Sequence, residues 1–191
     1  MATRSGERKN QILQVLAEML EAPKGEKITT AALAERLDVS EAALYRHFAS
    51  KAQMYEGLIG FVEETVFGLI NKISAEQESG LKQTHAIAAM LLSFAEKNPG
   101  MTRVLIGDAL VNEDARLQRR INQLHDRLEA TLKQSLRLAA TQGDIDKDAD
   151  VTAQANLMLA YIIGRWHQYA KSGFKRLPTE LWQKQAPLLL G

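Results

Sequence analysis

The 191-residue chain contains no cysteine. That absence excludes disulfide scaffolds, thiolate zinc sites, iron–sulfur ligation and a cysteine nucleophile, and it fits a reducing compartment. Prolines number only four, at 23, 99, 178 and 187, and act as punctuation between segments. No apolar run approaches the ~20 residues of a spanning helix; the stretch at 157–163 falls well short. The first ten residues are polar, with no apolar core of a secretory signal. Strand-like alternation between turn signals is absent, which leaves an all-α chain as the expectation. Charge of one sign is also missing: 24 Lys+Arg stand against 23 Asp+Glu. Residues 1–60 carry eight of each, so a protein that holds nucleic acid by bulk charge is excluded.

Chemistry-bearing patterns are equally sparse. The histidines at 47, 85, 125 and 167 include no i,i+4 pair and no His-Glu-x-x-His. There is no glycine-rich phosphate loop, no Gly-x-Ser-x-Gly and no dinucleotide fingerprint. No metal, no cofactor and no enzymatic activity are expected.

What is present is a folded composition, 46% hydrophobic and 25% charged, organised as about nine helices. The first spans about 7–21, with Ile12, Leu13, Leu16, Met19 and Leu20 on one stripe, and the segment from Ala22 to Gly25 stops it. Thr29 caps a short second helix that ends near Leu37. Asp38-Val39 forms the turn, Ser40 caps a third helix ending near Phe48, and Ser50 with Gln53 matches a capping box. Longer helices follow at about 51–74, 81–97, 101–111, 114–141 and 149–171, with Gly80, Asn98-Pro99-Gly100 and Gln142-Gly143-Asp144 between them. Pro178 opens the ninth, which Pro187 bends or ends. The chain divides into an N-terminal module, 1–50, and a helical body, 51–191.

Two short capped helices joined by a three-residue turn make a helix-turn-helix, whose second helix fits the DNA major groove. Leu44 and Phe48, one turn apart, point into the module's core, which turns Ala42, Ala43, Tyr45 and Arg46 outward. Small alanines permit close approach to base edges. Arg46 can fork onto guanine or phosphate, and the Tyr45 hydroxyl suits phosphate. His47 lies on the flank. Lys51 and the start of the second helix at Thr29 and Thr30 are natural phosphate contacts. With Ser40, these form the candidate DNA face. Positive charge is placed rather than abundant: Arg4, Arg8 and Lys9 in the N-terminal arm, then Arg46 and Lys51.

Thr30, Ala34, Val39, Ser40, Leu44, Tyr45, Arg46, His47, Phe48 and Lys51 resemble the DNA-binding pattern of the tetracycline-repressor (TetR) family. Asp38 stands where that family commonly has glycine. The stretches 40–48 (SEAALYRHF), 98–103 (NPGMTR), 117–124 (LQRRINQL) and 174–179 (FKRLPT) are similar to one branch, the nucleoid occlusion factors. That resemblance implies a homodimer on palindromic double-stranded DNA, with room for higher-order assembly there. It also implies a cytoplasmic, nucleoid-associated protein that inhibits ring assembly by FtsZ, the tubulin-like division GTPase. The FtsZ C-terminal tail would bind between the fourth and fifth helices, through Phe61, Met90, Lys97 and Asn98. Leu69 and Ser93 depart from the branch, which often has a basic residue and a glycine there.

Other readings remain open at this level. A ligand-responsive repressor of the same fold would enclose an apolar pocket of a few hundred Å³ with converging polar groups. A helical adaptor would leave Tyr45 and Arg46 as incidental surface. The cluster Tyr161, Arg165, Trp166, His167 and Tyr169 would line such a pocket or, better, join core and dimer interface with Leu157, Leu181, Trp182 and Leu188–190. Arg116, Arg119, Arg120, Arg127, Lys133 and Arg137 read as a solvated face.

Overall fold

The computed structural model describes residues 4–22 and 28–190, with the backbone only at residues 4 and 5. Pro23, Lys24 and Gly25, expected to stop the first helix, and the Arg4 side chain lie outside the described residues. Within them the order is α1 (Arg4–Leu20), α2 (Thr30–Arg36), α3 (Glu41–Tyr45), α4 (Lys51–Glu76), α5 (Gly80–Lys97), α6 (Pro99–Leu105), a 3-10 turn (Asp108–Leu110), α7 (Ala115–Gln142), α8 (Val151–Lys171) and α9 (Trp182–Leu190). No strand occurs among the described residues.

The chain forms two compact units. The first joins Met1–Val62 to Pro99–Ile121. Its core is Ile12, Leu16 and Leu20 of α1, Leu33 and Ala34 of α2, Leu44 of α3 and the first turns of α4. α6 packs on α1, and Gly100 is what allows it: a Cβ there would stand 2.0 Å from the Ala17 carbonyl oxygen. Arg103 then fastens α6, donating to the Leu20 and Ala22 carbonyls and to Asp108.

The second unit joins Glu63–Asn98 to Asn122–Gly191. Leu124, Leu128, Leu132 and Leu136 form the buried stripe of α7, and Met158, Ile162 and Trp166 that of α8. The Trp166 indole N–H donates to the Leu91 carbonyl and the Tyr169 hydroxyl to that of Glu96, so the polar ends of both rings are satisfied inside.

Several boundaries move, each for a local reason. Gly80 is no spacer but the first residue of α5, where a Cβ would come within 2.3 Å of the Ala139 nitrogen and the Ser135 oxygen. The expected 101–111 helix starts at Pro99, a favoured first-turn position, and breaks at Gly107, left-handed at φ +77°, before the 3-10 turn. α8 starts at Val151 because Asp150 caps it, accepting from the Thr152 and Ala153 N–H groups. α9 does not open at Pro178: the Leu177 and Pro178 carbonyls accept from the buried Arg165 guanidinium, which pairs with Glu180 and holds 178–181 as a turn. Pro187 lies inside α9 instead of ending it. Arg165 is thus a structural clamp.

Candidate nucleic-acid interface

All the helix-turn-helix residues belong to the first unit, and side chains rather than backbone define its short helices. Thr29 caps α2 by accepting from the Ala32 N–H, and Ser40 caps α3 from Ala43. Asp38 takes the left-handed turn at φ 53°, a conformation aspartate tolerates better than most residues. Ser50 accepts from the Gln53 N–H, while the Gln53 side chain reaches back to Ala49, one residue short of a closed capping box. α3 ends at Tyr45, earlier than the period suggests. His47 N–H bonds back three residues to Leu44, tightening the last turn, and Phe48 enters the core.

This folding leaves Ala42, Tyr45 and Arg46 exposed, with Ala43 and His47 half-buried. Tyr45 is 45% exposed. The Arg46 backbone N–H bonds to the Leu44 carbonyl, while its side chain makes no hydrogen bond or ion pair among the described residues, so the five guanidinium N–H donors are available. Thr29 and Ser40 are exposed, their oxygens already serving as caps. The Thr30 hydroxyl donates to Glu41, 2.6 Å away, and accepts a longer bond from the Tyr45 hydroxyl.

Lys51 is placed differently from a free phosphate contact. Its ammonium pairs with Glu113 at 2.5 Å, the two side chains being only 19% and 12% exposed, and it sits 5.7 Å from the Tyr55 ring. Burial pushes the Tyr55 hydroxyl up to about 12, and the Glu113 charge adds to the rise. A DNA phosphate therefore has to compete with Glu113 for Lys51. Sequence spacing offers no signal for this pair, whose members are 62 residues apart. Removing one partner strands a charge in a half-buried place. Glu113→Ala is expected to lower unfolding stability by about 2 kcal/mol, with Glu113→Gln losing less; urea unfolding checks this, and wild-type stability in the alanine variant would refute it.

The remaining candidates belong to α4 and α5. Phe61 of α4 is 50% exposed, although Leu58, Ile59 and Val62 around it are buried. On α5, Met90 is half-buried, Lys97 is exposed, and the Asn98 amide donates to the Phe94 carbonyl. Of the basic residues expected to be solvated, Arg120 donates to the Glu56 carbonyl, and Arg127 stacks 3.8 Å over Phe67. In the second unit, a half-open recess of about 490 Å³ is lined by Phe67, Ile70 and Leu138 together with polar groups of α4, α5 and α7. Gln83, buried beside it, donates to the Ser74 and Gln77 carbonyls and accepts from Ser135. Trp182, expected at a subunit interface, is buried against His85 and Tyr161 of its own chain.

Comparison with known proteins identifies the family. Residues 17–58 match the family "Bacterial regulatory proteins, tetR family", and residues 76–191 match the SlmA-like "Tetracyclin repressor-like, C-terminal domain". The nucleoid occlusion factor SlmA of Idiomarina loihiensis is 50% identical over 185 residues, covering 97% of this chain and 94% of that protein. SlmA of Alteromonas mediterranea is 51% identical over 184 residues, covering 96% and 94%. Among solved structures, the regulator PfmR of Thermus thermophilus superposes with a TM-score of 0.78 at 21% identity, covering 94% of this chain and 97% of its own. FadR of Bacillus subtilis, solved with stearoyl-CoA, gives 0.77 at 15%, covering 95% and 97%. The last two share the fold alone. Identity near one half along almost the whole chain is decisive: the chain belongs to the SlmA family of nucleoid occlusion factors, within the TetR-type DNA-binding regulators.

Proposed function

We propose that the protein is a positional inhibitor of cell division. Residues 1–50 read palindromic chromosomal sites, and residues 51–191 dimerise and, on DNA, engage the C-terminal tail of FtsZ, so that ring assembly is blocked over the nucleoid. It acts by binding two partners at once in the cytoplasm, at the nucleoid, and catalyses nothing. The observation that carries the DNA half is the exposed, unengaged Arg46 beside Tyr45 on a capped α3, in a chain half-identical to nucleoid occlusion factors. Thr29, Thr30, Ser40, Ala42, Ala43, His47 and Lys51 flank that pair. Support for the FtsZ half is Phe61, an aromatic ring half-exposed amid buried neighbours on α4. An apolar ring on the surface suits a peptide partner, and the exposed ammonium of Lys97 suits an acidic one.

Sedimentation of FtsZ polymers tests this. The protein with its selected duplex is expected to reduce pelleted FtsZ, and duplex carrying a scrambled site to do so far less. Phe61→Ala and Lys97→Glu are expected to lose most of that inhibition while retaining wild-type DNA affinity. Equal pelleting with and without the protein would defeat the FtsZ reading and leave the DNA reading standing.

A further inference from the structure

Glu41 is the one carboxylate on α3, and its bonding sets it apart from an ordinary first-turn acid. A glutamate there interacts favourably with the helix dipole and has no need of a side-chain partner. Here Oε2 instead accepts the Thr30 hydroxyl of α2 at 2.6 Å, and Tyr45 approaches the same hydroxyl at 3.4 Å. The consequence is chemical. Thr30 has one hydroxyl hydrogen and directs it at Glu41, so its side chain offers DNA only lone pairs. Glu41 Oε1 has no partner among the described residues. The exposed Tyr45 and Glu41, with the half-buried Thr30 between them, therefore hold a fixed negative charge and a set of acceptors where a neutral or donating surface would suit a polyanion.

We propose that Glu41 reads a base: it selects cytosine in each half-site through the exocyclic amine. The inference rests on the DNA-binding reading above. A carboxylate in the major groove needs a donor, and only cytosine N4 and adenine N6 supply one. Adenine presents the N7 acceptor beside its amine, which repels a carboxylate and suits an amide; cytosine has no acceptor there, so the carboxylate fits cytosine. The Thr30 bond holds the carboxylate in place, and the small side chains of Ala42 and Ala43 leave room for approach. Away from its cytosine, Glu41 meets phosphate charge uncompensated, which weakens binding to unrelated sequence. Near-neutral charge in residues 1–60 fits such a device, since selectivity then comes from penalties as well as attractions.

The experiment is selection from duplexes with a randomised core of about two helical turns, followed by titration of every single-base substitution in the selected site. Wild type, Glu41→Gln and Glu41→Ala are compared after thermal melts establish equal folding. Wild type is expected to fix one cytosine per half-site. Glu41→Ala accepts any pair there, losing roughly tenfold discrimination per half-site, and binds scrambled duplex more tightly. Glu41→Gln shifts the preference towards adenine. An alanine variant that selects the same site with undiminished discrimination at every position, merely weaker overall, would reduce Glu41 to a brace for Thr30 and overturn the proposal. Wild type that enriches no sequence would instead defeat the DNA-binding reading, and this proposal with it.

Discussion

Glutamate at position 188 is expected to turn a dimer into a monomer and to lower affinity for a palindromic duplex by roughly 100-fold or more, because two half-sites are no longer engaged by tethered modules. Leu188 on α9 is 82% exposed and Leu157 on α8 is 54% exposed. These helices pack on each other within the second unit, where Tyr161 donates to Gln185, and Gln154 to the Leu189 and Leu190 carbonyls. Leucines left outside such a bonded pair have contributed nothing to the core of one chain; in a dimeric family they are the surface a second copy would cover. An exposed position tolerates charge in the monomer, so Leu188→Glu and Leu157→Glu are expected to keep wild-type helicity. Sedimentation equilibrium reads the oligomeric state, and fluorescence polarisation the affinity. A Leu188→Glu, Leu157→Glu double variant that stays dimeric would place the interface elsewhere. One that turns monomeric yet binds the palindrome as tightly as wild type would break the link between dimerisation and recognition.

What sequence alone reveals of this molecule follows the range of each interaction. Caps act over three residues, so Thr29, Ser40 and the left-handed Asp38 turn are readable from the chain, and with them the helix-turn-helix. The apolar period of α7 is equally local. Failures begin where a residue's meaning depends on a distant partner. Gly80 looks like a spacer until α7 is seen against it. Pro178 looks like a helix start until Arg165, on α8, takes the carbonyls that follow Arg176. Lys51 looks like a free cation until Glu113 is placed beside it. Glu41 carries no signal in sequence beyond a favourable first-turn acid, since the bond that distinguishes it reaches across the turn to Thr30. Gly107 is the exception, since its signal is local: glycine after a short helix is the commonest left-handed stop. Phe61, Met90, Lys97 and Asn98 are candidates through resemblance alone, because a partner surface has no period and no cap to read.

The consequences of Arg46→Ala follow from the same symmetry that makes Leu188 decisive. The substitution changes both subunits of a dimer, so each half-site loses the contact. A good bidentate guanidinium–guanine pair contributes about 1–3 kcal/mol; two give about 2–6 kcal/mol, a fall of some 30-fold to more than 10,000-fold in affinity. Folding is not at issue, since the side chain is exposed and bonds to nothing among the described residues. Salt dependence decides what Arg46 touches. If it contacts phosphate, the variant loses about one counterion-release contact per subunit, and the slope of log K against log salt falls by about 1.8 for the dimer. If it reads guanine, the slope holds and discrimination at one position per half-site collapses. The placed-charge reading favours the second outcome, with Arg46 and Glu41 supplying opposite halves of a code, one acceptor in the first turn of α3 and one donor at its C-cap. An Arg46→Ala variant with unchanged affinity for the selected site would remove α3 from the interface altogether.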